Sequence, residues 1–467
     1  MSARLPVLDR RRSGVLLHPT ALPSGHGALG AAARGFIDWL AAGGFSVWQV
    51  LPLGPVGDDR SPYWVRSDQA GNARLIDTRE AADPQLARGQ YADFCAAQAW
   101  WLEDYVLFAA LARAQENLPW WRWPIELRDR YAPALSGARA QLGSELEVLR
   151  TEQWQFAQQW AALRGYAHER GVALFGDLPI YVAPDSVATW VRREQFQLQA
   201  NGEPAALAGV PPDYFSADGQ LWGNPLYDWS QAQRDGFAFW RERFAAQLQR
   251  FDLVRIDHFR GLAGYWSVPA GAATARDGRW VDAPGAALLE RLQATHGALP
   301  VVAEDLGLIT PDVDALRRQF ALPGMRVLQF GFDGSPDNPH LAHNYTRDTV
   351  AYTGTHDNDT TLGWYRSLDE QAARRVDDYL GCDAGCMPAA LVRAALASVA
   401  GLAVAPLQDL LELGSEARFN TPGTVGGNWG WRFEPGVLAG VEGAALAERL
   451  RGMNERYGRL VRYPPQP

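Results

Sequence analysis

About eight short apolar runs, separated by stretches of helical periodicity, restrict this 467-residue chain to very few folds. The runs are Ser13–His18, Phe45–Leu51, Gly171–Val182, Phe251–Ile256, Pro300–Glu304, Arg326–Phe332, Thr349–Thr355 and Leu402–Ala405. Helical patterns fill the gaps at Leu29–Ala42, Tyr91–Arg113, Ser144–Arg170, Gly236–Gln249, Ala286–His296, Pro311–Phe320 and Ala390–Val399. Thr310 before Pro311 is a good N-cap with proline at the first helical position. Strands joined by short links through a helix run parallel. Eight such units predict an α/β fold, a (β/α)8 TIM barrel. A doubly wound sheet would want a glycine-rich phosphate loop directly after an early strand, and Gly25–Gly30 does not follow a strand tip. The chain 1–467 therefore reads as one barrel with two insertions: a mostly helical one over 56–170 and a loop-rich one over 183–235.

The charged residues gather where these runs end. Phe251–Leu262 closes in Arg255, Asp257 and His258, and alternation places Leu253, Arg255 and Asp257 on one side of the strand. Pro300–Leu306 ends in Glu304 and Asp305, Thr349–Asp359 in His356 and Asp357, and Gly171–Val182 carries Asp177. A structural ion pair explains Arg255 and Asp257 taken alone. Three carboxylates at strand ends instead suit glycosidic-bond chemistry, where one meets the anomeric carbon, one protonates the leaving oxygen and one holds hydroxyls. A divalent-metal site is the competing use, although His and Arg among the carboxylates fit a hard-cation cage poorly. Burial after an apolar run would raise Glu304 toward the range of an acid working near neutrality. Asp177 reads equally as a salt-bridge partner, His18 as structural, and Trp222 and Trp429 as core or as sugar platforms.

Composition removes other chemistries. All 44 basic residues are arginine, which excludes Schiff-base lysines and lysine-dependent phosphate loops. A net charge of −9 without basic runs disfavours nucleic acid and anionic membrane. Cys95, Cys382 and Cys386 form no disulfide framework, and no nearby histidine completes a zinc site. His340 and His343 read as surface residues. Neither the N-terminal Arg10–Arg12 with the short apolar Gly14–Leu17 nor Ala394–Ala405 is long enough for a signal core or a membrane span, so a cytoplasmic protein is expected.

Arg255-Ile256-Asp257-His258, Glu304-Asp305-Leu306-Gly307 and Thr355-His356-Asp357-Asn358 resemble the carboxylate motifs of the 4-α-glucanotransferase, or amylomaltase, family of the α-amylase clan. Leu51–Gly57, Ser61-Pro62-Tyr63, Gly176–Val182, Gly209–Tyr227, Leu322–Gly334 and Ser415–Arg432 resemble that family's longer segments, so the similarity covers nearly the whole chain. The resemblance implies retaining transfer of an α-1,4-glucan segment to the 4-hydroxyl of another glucan through a covalent glycosyl-enzyme. Asp257 would be the nucleophile, Glu304 the acid/base and Asp357 the third carboxylate, assisted by His356 and Arg255. Tyr63 would stack on sugar, Asp177 would support the site, and Trp222, His258, Tyr214 and Asn428 would contact substrate. The implied partner is a maltooligosaccharide or glucan; no cofactor, metal or nucleotide is expected, and the chain would be a monomer or weak oligomer. Trp64 departs from the small or polar residue that many relatives carry after Ser-Pro-Tyr.

Overall fold

The computed structural model describes residues 7–212, 216–424 and 426–461. Eight parallel strands close into a barrel: β1 (Arg12–Leu16), β2 (Val47–Gln49), β3 (Ala173–Leu178), β6 (Leu253–Ile256), β9 (Val301–Ala303), β10 (Gly324–Val327), β11 (Thr349–Tyr352) and β12 (Leu402–Pro406). Each pairs with the next barrel strand in chain order, and β12 returns to β1 with Arg12 opposite Leu402. This is the TIM barrel predicted from the alternating runs.

Period-two alternation builds two layers from each strand. Leu16, Val47, Phe175, Leu253, Val302, Val350 and Val404 fill the barrel interior. Val15, Trp48, Leu174, Val254, Ile256 and Val301 face the surrounding helices. The inward register of Phe175 and Leu253 carries Asp177 and Arg255 into the next interior layer, where these two residues pair across β3 and β6. Asp177 and Arg255 are thus the last inward positions of ordinary core strands, and Asp257 and Glu304 follow directly where β6 and β9 end.

The remaining four strands form a separate antiparallel sheet in the order β5-β4-β7-β8: β4 (Ala206–Val210), β5 (Gln220–Pro225), β7 (Gly264–Pro269) and β8 (Arg279–Asp282). The segment 183–235, read from sequence as loop-rich, contributes β4 and β5. The segment 56–170 carries the helices Arg88–Ala114 and Gly143–Glu169, which share a core of Leu102, Tyr105, Val106, Phe108, Leu146 and Leu149 with Trp120 and Trp190. The second helix does not stop at that core. Its last turns place Trp160 and Leu163 in the main core, and Arg164 and His168 reach Asp252 at 2.6 and 2.9 Å. Asp252 also accepts from the Leu174 amide at 2.8 Å, so the entry to β6 is fixed from two sides.

Asp305 is structural. It accepts from the Met325 amide at 2.6 Å and from Arg326 at 3.0 Å, joining β9 to β10. A Cβ on Gly324 would lie 2.4 Å from its carboxylate, which is why glycine opens β10. Thr310 stands at the N-cap of the helix Pro311–Gln319, but its hydroxyl meets Arg260 at 3.0 Å and makes no cap hydrogen bond. His340 accepts from the Val327 amide at 3.1 Å, and His343 contacts Tyr379 and Pro336. Among the described residues no group of three or more His, Cys, Asp or Glu could hold a metal, and no helix is long and apolar enough to cross a membrane.

Candidate active site

Asp177, Arg255 and Asp257 form a chain of charge across the barrel mouth. Arg255 donates to both Asp177 oxygens at 2.9 and 2.7 Å and, through its other terminal nitrogen, to Asp257 at 2.8 Å. Burial works against the Arg255 charge, but Asp177 and Asp257 outweigh it and hold the guanidinium well above its usual range. The bland ion-pair reading of Arg255 is therefore correct as geometry, and the same contact holds Asp257 beside a permanent cation. Tyr63 donates its hydroxyl to Asp177 at 2.6 Å. Its ring stacks on His356 with centroids 5.1 Å apart.

Glu304 follows β9 directly. Its Oε2 accepts from the His258 backbone N–H at 2.6 Å and its Oε1 from Leu306 N–H at 3.1 Å. His258 is in the left-handed region, with φ 48°, where a non-glycine residue stores roughly 1–2 kcal/mol. That turn ends β6 and aims its amide at Glu304. Burial, with Asp257 adding to it and Arg255 opposing, raises Glu304 to about 8. The carboxyl thus carries a proton at neutral pH, as its place after an apolar run suggested.

The third carboxylate lies on the loop beyond β11. Asp357 is 45% exposed at its side chain, and its Oδ2 is 3.4 Å from His356 Nε2. The buried Asp409, in the short helix Leu407–Leu410 that follows β12, steadies this loop by accepting from Thr353 Oγ1 at 2.5 Å and from Thr361 N–H and Oγ1, both at 2.7 Å. Two further contacts were not foreseen from sequence. Asn420 donates to Asp357 Oδ1 at 2.7 Å, and Arg418 donates to the Asp357 carbonyl at 2.6 Å. Sixty-three positions separate Asn420 from Asp357, and no local pattern signals such a pair.

Aromatic rings border the cleft. Trp429 lies 6.0 Å from both Tyr63 and His356, in a left-handed conformation with φ 61°. Trp222, on β5, meets the His258 ring edge-on at 4.7 Å, which brings the second sheet to the residue after Asp257. Burial lowers the His258 imidazole to about 4, so it stays neutral. His18, buried at the end of β1 beside His356, is lowered to about 3 for the same reason. Trp64 lies with its indole 3.5 Å from the position of a Cβ on Gly223, so it packs toward β5. Asn428 is engaged within its own loop, accepting from Thr421 N–H at 3.0 Å and donating to Thr424. Tyr214, with Asp213 and Phe215, lies outside the described residues.

A parallel barrel whose strand ends gather one protonated carboxyl, a second carboxylate fixed by arginine and a third on a neighbouring loop has the equipment of an enzyme acting on glycosidic bonds. A family model described as 4-alpha-glucanotransferase matches residues 17–89 and 79–438. The chain belongs to the 4-alpha-glucanotransferase family. A 4-alpha-glucanotransferase of Thermus thermophilus is 47% identical over 501 aligned residues, covering 96% of this chain and 99% of the relative. That of Synechocystis is 44% identical, with 97% and 99% covered. The amylomaltase of Streptococcus agalactiae, solved with acarbose, superposes with a TM-score of 0.91 at 32% identity, covering 97% of this chain and all of that one.

Proposed function

We propose that the site performs retaining transfer between α-1,4-glucans. A carboxylate oxygen of Asp257 attacks the anomeric carbon as the bond to the leaving O4 breaks, and Glu304 gives its proton to that oxygen. The product is a glycosyl ester on Asp257 and a free 4-hydroxyl on the departing glucan. An acceptor glucan then brings its own 4-hydroxyl. Glu304, now a carboxylate, removes the proton, the new C1–O4 bond forms and Asp257 leaves. Arg255 holds the Asp257 carboxyl in place between steps. Asp357 and His356 bind hydroxyls of the sugar being transferred, Tyr63 offers the ring face that His356 leaves open, and Asp177 fixes Tyr63 and Arg255. Trp222 and His258 contact the acceptor glucan, Tyr214 is assigned as a further substrate contact, and Asn428 shapes the loop that presents Trp429.

The observation that carries this reading is the pairing of opposite protonation needs on adjacent strand ends. Asp257 is held by a cation, while Glu304 is raised to about 8 by burial. Glucan substrates agree with the acarbose complex of the Streptococcus agalactiae amylomaltase. We further assign 56–170 and 183–235 as subdomains of one catalytic barrel, and a cytoplasmic monomer or weak oligomer handling maltodextrin, glycogen or starch chains. Incubation with maltotriose should give glucose and a ladder of longer oligosaccharides on chromatography. Hydrolysis to glucose and maltose alone would point to a hydrolase, and no turnover together with tight glucan binding would point to a binding protein.

A further inference from the structure

We propose that Asn420 is a positioning residue for glycosyl transfer, holding the Asp357 carboxylate in the orientation that leaves its second oxygen for substrate. This rests on the reading of Asp357 as the third carboxylate. Asp357 is the most exposed of the three groups read as catalytic, and its terminal torsion is intrinsically broad and roughly two-fold. Left to itself, the carboxylate would rotate and hydrate. Asn420 donates its amide to Oδ1 at 2.7 Å, and only the NH2 end of that amide can face a carboxylate. Oδ2 then points to His356 Nε2 at 3.4 Å and remains available to a hydroxyl.

The spacing between the two loops is set by Arg418. One of its nitrogens donates to the Asp357 carbonyl at 2.6 Å and its Nε to the Asn420 carbonyl at 2.7 Å. A single guanidinium therefore ties both backbones, and the amide spans the gap that it fixes. An amide is suited to this place because it donates without adding charge. An arginine would form a second ion pair and compete with the sugar for Oδ2, and an aspartate would repel the carboxylate. The same segment continues to Trp429, whose N–H donates to the Phe419 carbonyl at 2.7 Å, so Asn420 also links the aromatic border to Asp357.

The test is Asn420→Asp, nearly isosteric, read through the pH dependence of disproportionation. Two carboxyls at hydrogen-bond distance share one proton, and the protonated Asp side chain can donate as the amide does. The ionisable groups around the pair are His356 on the loop after β11, Arg418 on the segment of Asn420, and Tyr63 opposite. N420D should keep much of its kcat at the acid end and lose it, on the order of 100-fold, as the shared proton leaves; a small misplacement of a reacting group costs about this much. That adds a fall in activity below the one Glu304 sets near 8. N420S, too short to reach, should lose kcat at every pH with KM little changed, and it carries the test if N420D does not fold. Circular dichroism melts run alongside should stay close to the parent's. A profile for N420D that is only scaled down uniformly, or an unchanged kcat in N420S, overturns the proposal. D357N serves as the control: if it remains active, the assignment of Asp357 fails, independently of Asn420.

Discussion

Glu304 holds its proton because burial disfavours its charge and because Asp257 is near, and both causes are properties of the folded state. Activity should follow. With the free enzyme, kcat/KM should fall as pH rises through about 8, where Glu304 loses the proton that it must donate. Stability moves the same way. Between the ordinary carboxylate range and about 8, the native chain binds a proton that the unfolded chain has released, so this group's contribution declines as pH rises. Initial rates over a pH series on maltotriose would show the first effect; an alkaline fall located near 10 would remove Glu304 as its source. Glu304→Gln should lose several orders of magnitude on maltotriose and less on a glucosyl fluoride, whose leaving group needs no acid. Equal losses on both donors would end the acid role. At this scale the sequence was most legible for residues carried by strands. Asp257 and Glu304 could be picked out because an apolar β-branched run stops at each. Asn420 and Arg418 could not, since their roles depend on a contact between two loops, and nothing in Arg-Phe-Asn-Thr-Pro distinguishes such a contact from a turn.

Elements differ in the same respect. The barrel strands are short and largely buried, and all but β10 are separated from the next barrel strand by at least one α-helix, so their pattern is read from a local window. β4 and β5 are read poorly. Ala-Leu-Ala-Gly-Val and Gln-Leu-Trp-Gly-Asn-Pro contain glycine or proline and lack clean alternation, and their pairing has a register break between Leu207 and Gly209. β4 is completed by β7, which lies beyond β6 in the chain, and β5 joins the sheet only through β4. The junction of β9 and β10 gives a prediction at this scale. Gly324→Ala places a methyl within 2.4 Å of the Asp305 carboxylate, where backbone and buried ion pairs cannot easily give. A loss of about 1–3 kcal/mol is expected from such overpacking. Chemical denaturation would measure it, and a stability equal to the parent's would mean that Asp305 can swing away at little expense.

For the whole molecule, the question is why a glycosyl-enzyme in water should prefer sugar. An acceptor succeeds only if it is held with a high effective molarity, and on the proposed reading the rings of Trp222, Tyr214 and Phe215 supply stacking faces for it. Tyr214→Ala and Phe215→Ala should raise the ratio of hydrolysis to transfer more than they slow glycosyl-enzyme formation. Free glucose and disproportionation products from maltotriose, followed in parallel, would reveal it, and an unchanged ratio in both variants moves the acceptor site elsewhere. Because every step is assigned to side chains of this chain, turnover should also survive exhaustive chelation; a loss restored by adding back a divalent cation would reopen the metal reading.

The antiparallel sheet has an origin that constrains how this protein can change. Its strands come from two separate excursions of the chain, β4 and β5 before the strand that leads to Asp257, and β7 and β8 after it. Each excursion supplies half of the sheet, and the central pair β4–β7 joins the halves. Neither half can be shortened, exchanged or lost by recombination without exposing an unpaired edge beside the reaction centre. Natural variation in acceptor preference is thus expected to arrive as matched changes in two places on the gene, and a laboratory graft that transplants only one of them should yield an aggregating protein with an intact barrel.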